Sequence, residues 1–182
     1  MLGLTPLGIF HTAISLIAVV AGFIALVRDG VISPGNWVGR IYITTTVITC
    51  VTGFGIFRHG AFGIAHVLGI ITLVVLAIAG CAGKTKIFGS ASRFVEVVSY
   101  STTFFFHLIP ALTETATRLP VGSPLAASPD APLLQAATGF LFVAFLVGVS
   151  LQVVRLRAQG RQPDRELPAE ELISSATYVS GK

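Results

Sequence analysis

Four histidines, His11, His59, His66 and His107, are the side chains in this chain with the most distinctive chemistry. An imidazole nitrogen can bind haem iron or an ion such as copper or zinc, and it exchanges protons near neutral pH. His11, His66 and His107 fall inside long apolar runs, where a polar side chain is costly and tends to face the protein interior. What they can do depends on whether the elements that carry them bring the rings together.

The composition indicates that these elements are membrane-spanning helices. Of the 182 residues, 53% are hydrophobic and only 11% are charged, which is about half the charged fraction of an ordinary soluble domain. A spanning helix needs roughly 20 mostly apolar residues. We therefore predict an all-α integral membrane bundle over residues 1–157, followed by a polar cytoplasmic tail over residues 158–182.

Five apolar runs are long enough to be transmembrane helices, and they cover residues 7–27, 37–57, 62–82, 94–112 and 133–154. The fourth is the weakest because polar side chains, including Glu96 and His107, interrupt it. Pro110 is expected in the last turn of that helix, where proline can end or kink it. Trp37, Arg40 and Tyr42 are expected to anchor one end of the second helix at the membrane interface.

The positions of the basic residues predict the orientation. If the N-terminus is outside, only Arg58 and Arg118 face outward, and every other Lys and Arg faces the cytoplasm, as the positive-inside rule requires. The pI near 9.5 then reflects basic residues on the cytoplasmic side of the membrane. We predict that the chain contacts the lipid bilayer and does not bind nucleic acid. We predict a multi-pass protein of the bacterial inner membrane with a cytoplasmic C-terminus, and a protein partner or a homo-oligomer remains open.

The predicted spans place the histidines in one layer. At about 1.5 Å per residue, His11, His66 and His107 each lie roughly 6–8 Å below the outer edge, with His59 in the loop above them. Helix periodicity also places each one on a face expected to point inward. In the first span that face carries small residues suited to close helix contacts, and in the fourth it is the polar face, Glu96, Tyr100, Thr103, His107, Pro110 and Glu114.

Such a layer could hold haem b, with His11, His66 and His107 as candidate cofactor-binding residues. It could instead hold a transition metal such as copper or zinc, with His59 as a fourth candidate ligand. The role would be electron transfer or metal handling.

Two alternatives stay open. One is a structural or accessory membrane protein without a cofactor, in which the histidines hydrogen-bond across the bundle. The other is a small transporter that uses the polar face of the fourth helix, where Glu96 either relays protons or pairs with Arg93. We find no hydrolase or nucleotide-binding motif and assign no catalytic residue, which disfavours an enzyme.

The first half of the chain has a histidine early in the first span, a Gly-Arg-x-Tyr sequence opening the second and a histidine starting the third, here His11, Gly39-Arg40-Ile41-Tyr42 and His66. In this pattern it resembles uncharacterised bacterial polytopic membrane proteins. Members of that group often carry another histidine just before the Gly-Arg pair, where this chain has Asn36 and Trp37. The resemblance implies the same multi-pass topology and no defined activity.

Overall fold

The computed structural model describes residues 5–56, 62–85 and 87–159. Within these ranges the chain is all-helical, which confirms the predicted fold class. The helices are α1 Pro6–Asp29, α2 Trp37–Gly53, α3 Ile64–Thr85, α4 Ser92–Arg118 and α5 Pro132–Gln159, and a 3-10 turn Gly89–Ala91 precedes α4. His59 and the chain from residue 160 onward, which includes nearly all of the predicted tail, lie outside the described residues.

Four of the helices in the described ranges are long and apolar enough to cross a membrane: α1, α3, α4 with its preceding turn, and α5. The protein is therefore a multi-pass membrane protein. The predicted fifth span is not confirmed, because α2 has only 17 residues. At 1.5 Å per residue it is about 25 Å long, slightly less than the hydrocarbon core of a typical bilayer.

The second helix ends earlier than the sequence predicts. We expected it to reach residue 57, but it ends at Gly53. Gly53 and Gly55 flank the turn at Phe54, and glycine is a poor helix former because it loses the most backbone freedom on folding. Even so, α2 runs antiparallel along α1, since Asn36 bonds Asp29 near one end and Thr52 bonds His11 near the other.

The fourth helix is longer than the sequence predicts. It continues to Arg118 with Pro110 inside it, so the expectation that Pro110 lies in the last turn is wrong. A proline inside a helix removes one backbone bond, which is tolerated in bundles where neighbouring groups compensate. The polar residues are tolerated because α4 packs against α1, α3 and α5 and buries Glu96, Tyr100, Thr103 and His107.

On α1 small residues face the interior and large apolar residues face outward, as suits close helix packing in lipid. On α1, Ala18 and Ala25 are fully buried, whereas Val27 is 71% exposed. Gly22 lets two aromatic rings approach, because a Cβ there would lie 2.5 Å from Phe104 and 2.9 Å from Tyr42. Tyr42 is fully buried, so it is a core residue and not the interface anchor that we expected.

The two ends of the bundle differ in charge, and we name them accordingly. At the histidine end, α1, α3 and α5 begin and α2 and α4 end. The basic end is the opposite one, and its basic side chains in the described ranges are Arg28, Arg40, Lys84, Arg93, Arg155 and Arg157.

Helix α5 lies at the edge of the bundle. It packs against α4 alone among the described helices, and only Leu134 and Gln152 on it are buried. The segment between α4 and α5 folds back over the end of α4, where the Ala126 amide donates to the Ala116 carbonyl at 2.9 Å. The Gln152 amide nitrogen donates to the Gly30 carbonyl at 2.8 Å, and the Gln152 oxygen accepts from the Ser101 hydroxyl at 2.9 Å.

Candidate functional site

His107 is a buried polar side chain at the histidine end with an unsatisfied ring nitrogen. It projects from the buried face of α4 and is 5% exposed, with its ring centroid 6.1 Å from that of Tyr42. Its Nε2 atom is buried and has no hydrogen-bond partner among the described residues. A buried nitrogen in this state costs about 1–3 kcal/mol, and an ion or ligand is one accepted explanation.

His11 is held in a defined orientation by the end of α2. Its Nδ1 lies 3.0 Å from the Thr52 hydroxyl oxygen, and that hydroxyl donates its own proton to the Ile48 carbonyl at 2.8 Å. The Thr52 hydroxyl oxygen therefore accepts a hydrogen bond from Nδ1–H of His11. This assigns the lone pair of the neutral ring to Nε2. A histidine that binds a metal through Nε2 has the same arrangement.

Gly53 makes this contact possible. A Cβ at Gly53 would lie 3.2 Å from Cε1 of His11, which is tighter than an ordinary van der Waals contact. The missing side chain lets the imidazole lie directly against the backbone of α2. Gly53, at the end of α2, thus also creates the space for His11.

His11 and His107 form what we call the histidine pair. The two rings are near enough to interact electrostatically, and the Glu114 carboxylate acts on His11 in the same way. Glu114 lies two helical turns beyond His107 on the same face of α4, and it forms an ion pair with Arg118 at 2.6 Å. Helices α1, α2 and α4 therefore bring two imidazoles and one carboxylate to the same region.

His66 is buried as predicted, at 6% exposure, but it has a different role. Its Nδ1 accepts the Gly63 backbone N–H at 3.1 Å, and its ring stacks on Phe62 at 4.9 Å. This bond resembles the one in a capping box, where the third residue of a helix caps the residue before its start. These contacts of His66 are with the start of its own helix, not with His11 or His107.

Over residues 5–56, 62–85 and 87–159, no three His, Cys, Asp or Glu side chains converge as a ready-made metal centre. Of the predicted set, His11 and His107 are the two that interact electrostatically across the bundle. His66 is engaged in capping α3, and His59 lies outside the described residues.

The polar face of α4 continues below His107 as a chain of hydrogen bonds. The Thr103 hydroxyl donates to the Tyr100 carbonyl at 2.8 Å, so it accepts from the Tyr42 hydroxyl, also at 2.8 Å. At the basic end, Glu96 pairs with Arg93 at 2.7 Å, which is one of the two roles expected for it. Glu96 lies against α3 where Gly83 has no side chain.

Two cavities lie away from the histidine pair. One, of about 410 Å³, is lined by residues of α2, α3 and α4 and reaches Tyr100, but neither Thr103 nor His107 lines it. The other, of about 240 Å³, lies at the basic end. Beside His107 lies the ring of Tyr42, which in turn packs against Phe104, and neither of these two cavities is lined by His11 or His107.

Gln152 is the polar residue whose role the sequence analysis missed. It is 7% exposed and joins α5 to both α4 and the loop after α1. An amide inside an apolar run often faces the interior, but Gln135 in the same run is exposed, so the sequence alone did not single out Gln152.

No known family, curated protein or solved structure matches this chain, so the resemblance drawn from the first half of the sequence stays a prediction.

Proposed function

We propose that this multi-pass membrane protein binds a transition-metal ion, copper or zinc, between His11 and His107 at the histidine end. The observation that carries the proposal is the buried Nε2 atom of His107, which has no partner among the described residues and lies near His11. Imidazole nitrogen is a good ligand for both metals. The role that follows from such binding is metal handling.

The surroundings of the pair support this reading. Thr52 orients His11 with Nε2 available, which is the outer-shell arrangement that tunes metal ligands in proteins. Two neutral imidazoles cannot balance the charge of a cation in a medium of low dielectric constant, where an uncompensated charge is costly. The Glu114 carboxylate interacts with His11 but is paired with Arg118, so a bound cation would compete with that guanidinium for its charge.

The test is metal binding by protein purified in a non-ionic detergent, stripped with a chelator and then titrated with copper or zinc. We expect one ion per chain and a higher melting temperature with metal, because a ligand that binds only the folded state stabilises it. His11→Ala and His107→Leu should each weaken binding beyond the roughly 10–100-fold caused by losing an outer-shell partner, and Thr52→Val should fall within that range.

His66→Gln is the matched control. Glutamine can keep the cap of α3, because its side-chain oxygen can accept the Gly63 N–H as glutamine does in a capping box. This variant should bind metal like the wild type. The proposal fails if the wild-type protein retains no metal and shows no metal-dependent melting, or if His66→Gln loses as much affinity as His107→Leu.

Haem b is less well supported, because the Tyr42 ring lies beside His107 and neither of the two cavities described above is lined by His11 or His107. A visible absorption spectrum of the purified protein tests haem binding directly. A Soret band that is abolished in His107→Leu would favour haem b over the metal ion.

Of the remaining alternatives, an accessory protein without cofactor is favoured if no metal binds and His107→Leu melts at a higher temperature. Transport is favoured less, since the larger cavity ends at Tyr100.

For the topology we propose five spans in a bacterial inner membrane, with the histidine end outside. Two observations support it. Helix α2 runs antiparallel to α1 between the Asn36–Asp29 contact and the Thr52–His11 contact, and the basic side chains collect at the opposite end of the bundle, as expected for a cytoplasmic face.

A further inference from the structure

The cavity of about 240 Å³ at the basic end has the chemistry of an anion site. Its walls include Arg93 from the first turn of α4 and Arg155 from near the end of α5. Two guanidinium groups from different helices therefore line one small space. Guanidinium presents paired N–H donors that match a phosphate group, and such charge-assisted bonds are among the strongest in proteins.

The carboxylates near the cavity are already engaged. Asp29, which also lines it, bonds Arg28 through both oxygens and accepts from Asn36 at 2.9 Å. Glu96 accepts from Arg93 at 2.7 Å. Arg155 has no ion pair with any acidic side chain in the described ranges, so the cavity keeps a positive charge that an anion would balance.

The site is built and not merely a group of surface arginines. Gln152, one helical turn before Arg155, is 7% exposed and fixes α5 to the Gly30 carbonyl and to Ser101. The backbone of Gly30 is in the left-handed region, with φ of 73°. A Cβ there would lie 2.9 Å from a guanidinium nitrogen of Arg155. The cavity wall thus combines a fixed helix position with a residue that leaves room for the arginine.

The neighbouring surface indicates which phosphate compound would bind. Leu151 and Val154 on α5 are 55% and 63% exposed and adjoin Arg155 along the helix. Trp37, 74% exposed, stands at the same end, and tryptophan is typical of the membrane interface. A ligand with a phosphate in the cavity would therefore have apolar protein surface beside it, where an acyl chain can lie.

We infer that the cavity between Arg93 and Arg155 binds the phosphate group of an anionic phospholipid from the surrounding bilayer. Basic pockets between transmembrane helices bind such head groups in other membrane proteins. The inference does not depend on the metal proposal, because the cavity and the histidine pair lie at opposite ends of the bundle.

The test is melting of the detergent-purified protein during titration with phosphatidylglycerol, phosphatidylcholine or inorganic phosphate. We expect phosphatidylglycerol to raise the melting temperature in a saturable manner and the other two to have little effect. Arg155→Gln should weaken the apparent affinity for phosphatidylglycerol about tenfold, as expected for loss of a charge-assisted bond, and Arg155→Lys should weaken it less.

Arg157→Gln is the matched control, since Arg157 lies at the same end of α5 but does not line the cavity. It should leave the affinity within about twofold, because an exposed charge outside the site contributes little. Equal losses in both variants would mean general attraction to a basic surface and would overturn the inference. So would saturation by inorganic phosphate, which indicates a site for free anions, or the absence of any effect of phosphatidylglycerol.

Discussion

At the scale of the residue, the cost of removing a buried hydrogen bond depends on whether the remaining partner has a second hydrogen bond. Thr103 both donates to the Tyr100 carbonyl and accepts from Tyr42, so it stays bonded if Tyr42 loses its hydroxyl. Tyr42 is fully buried, so its hydroxyl has no access to water if Thr103 is removed. Removing the Tyr42 hydroxyl should therefore destabilise the protein less than removing the Thr103 hydroxyl.

We predict that Tyr42→Phe lowers the free energy of unfolding by about 0.6 kcal/mol, the average for a hydrogen bond between membrane helices. Thr103→Val should cost about 1–3 kcal/mol, because it removes the acceptor of a buried hydroxyl and leaves only the neighbouring Thr46 hydroxyl to replace it. Chemical or thermal unfolding in detergent measures both.

Thr102→Val is the control for Thr103→Val, since within the described ranges the Thr102 hydroxyl bonds only the Val98 carbonyl of its own helix. It should change stability little. If Thr103→Val proves no more harmful than Tyr42→Phe, the assigned direction of the bond between these two side chains is wrong.

The candidate site could be predicted from the sequence in part. Helix periodicity and depth identified His11 and His107 as inward-facing residues of one end, because both signals depend on local spacing. Periodicity could not distinguish the role of His66, since the same position that faces inward also reaches back to the Gly63 amide. Capping is decided by where the helix begins, which hydropathy places only to within a few residues.

At the scale of the element, one missing side chain decides how closely α1 approaches its neighbours. Gly22 lies under the rings of Phe104 and Tyr42, which come from α4 and α2. Three helices therefore meet at this glycine. By contrast, a Cβ added at Gly148 on α5 would have nothing within 4 Å.

We predict that Gly22→Ala destabilises the bundle by about 1–3 kcal/mol, the usual cost of overpacking a core. Gly148→Ala should be neutral or stabilising by up to about 1 kcal/mol, because alanine is the better helix former. Melting of the two variants side by side checks this, and equal effects would show that Phe104 and Tyr42 can move aside at low cost.

Hydropathy predicted the helices that face lipid better than those that face protein. Helices α1, α3 and α5 lie close to the predicted spans because their apolar surfaces contact lipid along their length. Helix α4 was underestimated because its polar residues are covered by other helices, which sequence hydropathy does not register. Helix α2 was overestimated because the apolar run continues past Gly53, where the backbone stops being helical.

At the scale of the whole molecule, the role of α2 determines the arrangement of every later segment in the membrane. If α2 crosses, the loop after α1 and the loop after α4 face opposite sides, and if it does not, they face the same side. The basic end favours the crossing arrangement, since Arg28, Arg93 and Arg155 then all lie at the cytoplasmic face.

We predict the sides by fusing a reporter after Gly35, Ser123 or Gln159 in a bacterial host. Green fluorescent protein should fluoresce after Gly35 and Gln159, and alkaline phosphatase should be active after Ser123. If the fusions at Gly35 and Ser123 report the same side, α2 does not cross the membrane and the five-span arrangement is wrong.

The bond between Gln152 and the Gly30 carbonyl joins residues 122 positions apart, and this separation orders events during synthesis. Gly30 leaves the ribosome long before Gln152 exists, so insertion intermediates that lack α5 hold the first hairpin without this tie. Because Arg155 arrives with the same helix, the pocket lined by Arg93 and Arg155 is likewise completed only when translation has passed the last helix. A nascent chain that stalls before that point therefore lacks both the Gln152–Gly30 hydrogen bond and the arginine pocket. It differs from the finished protein at the basic end of the bundle.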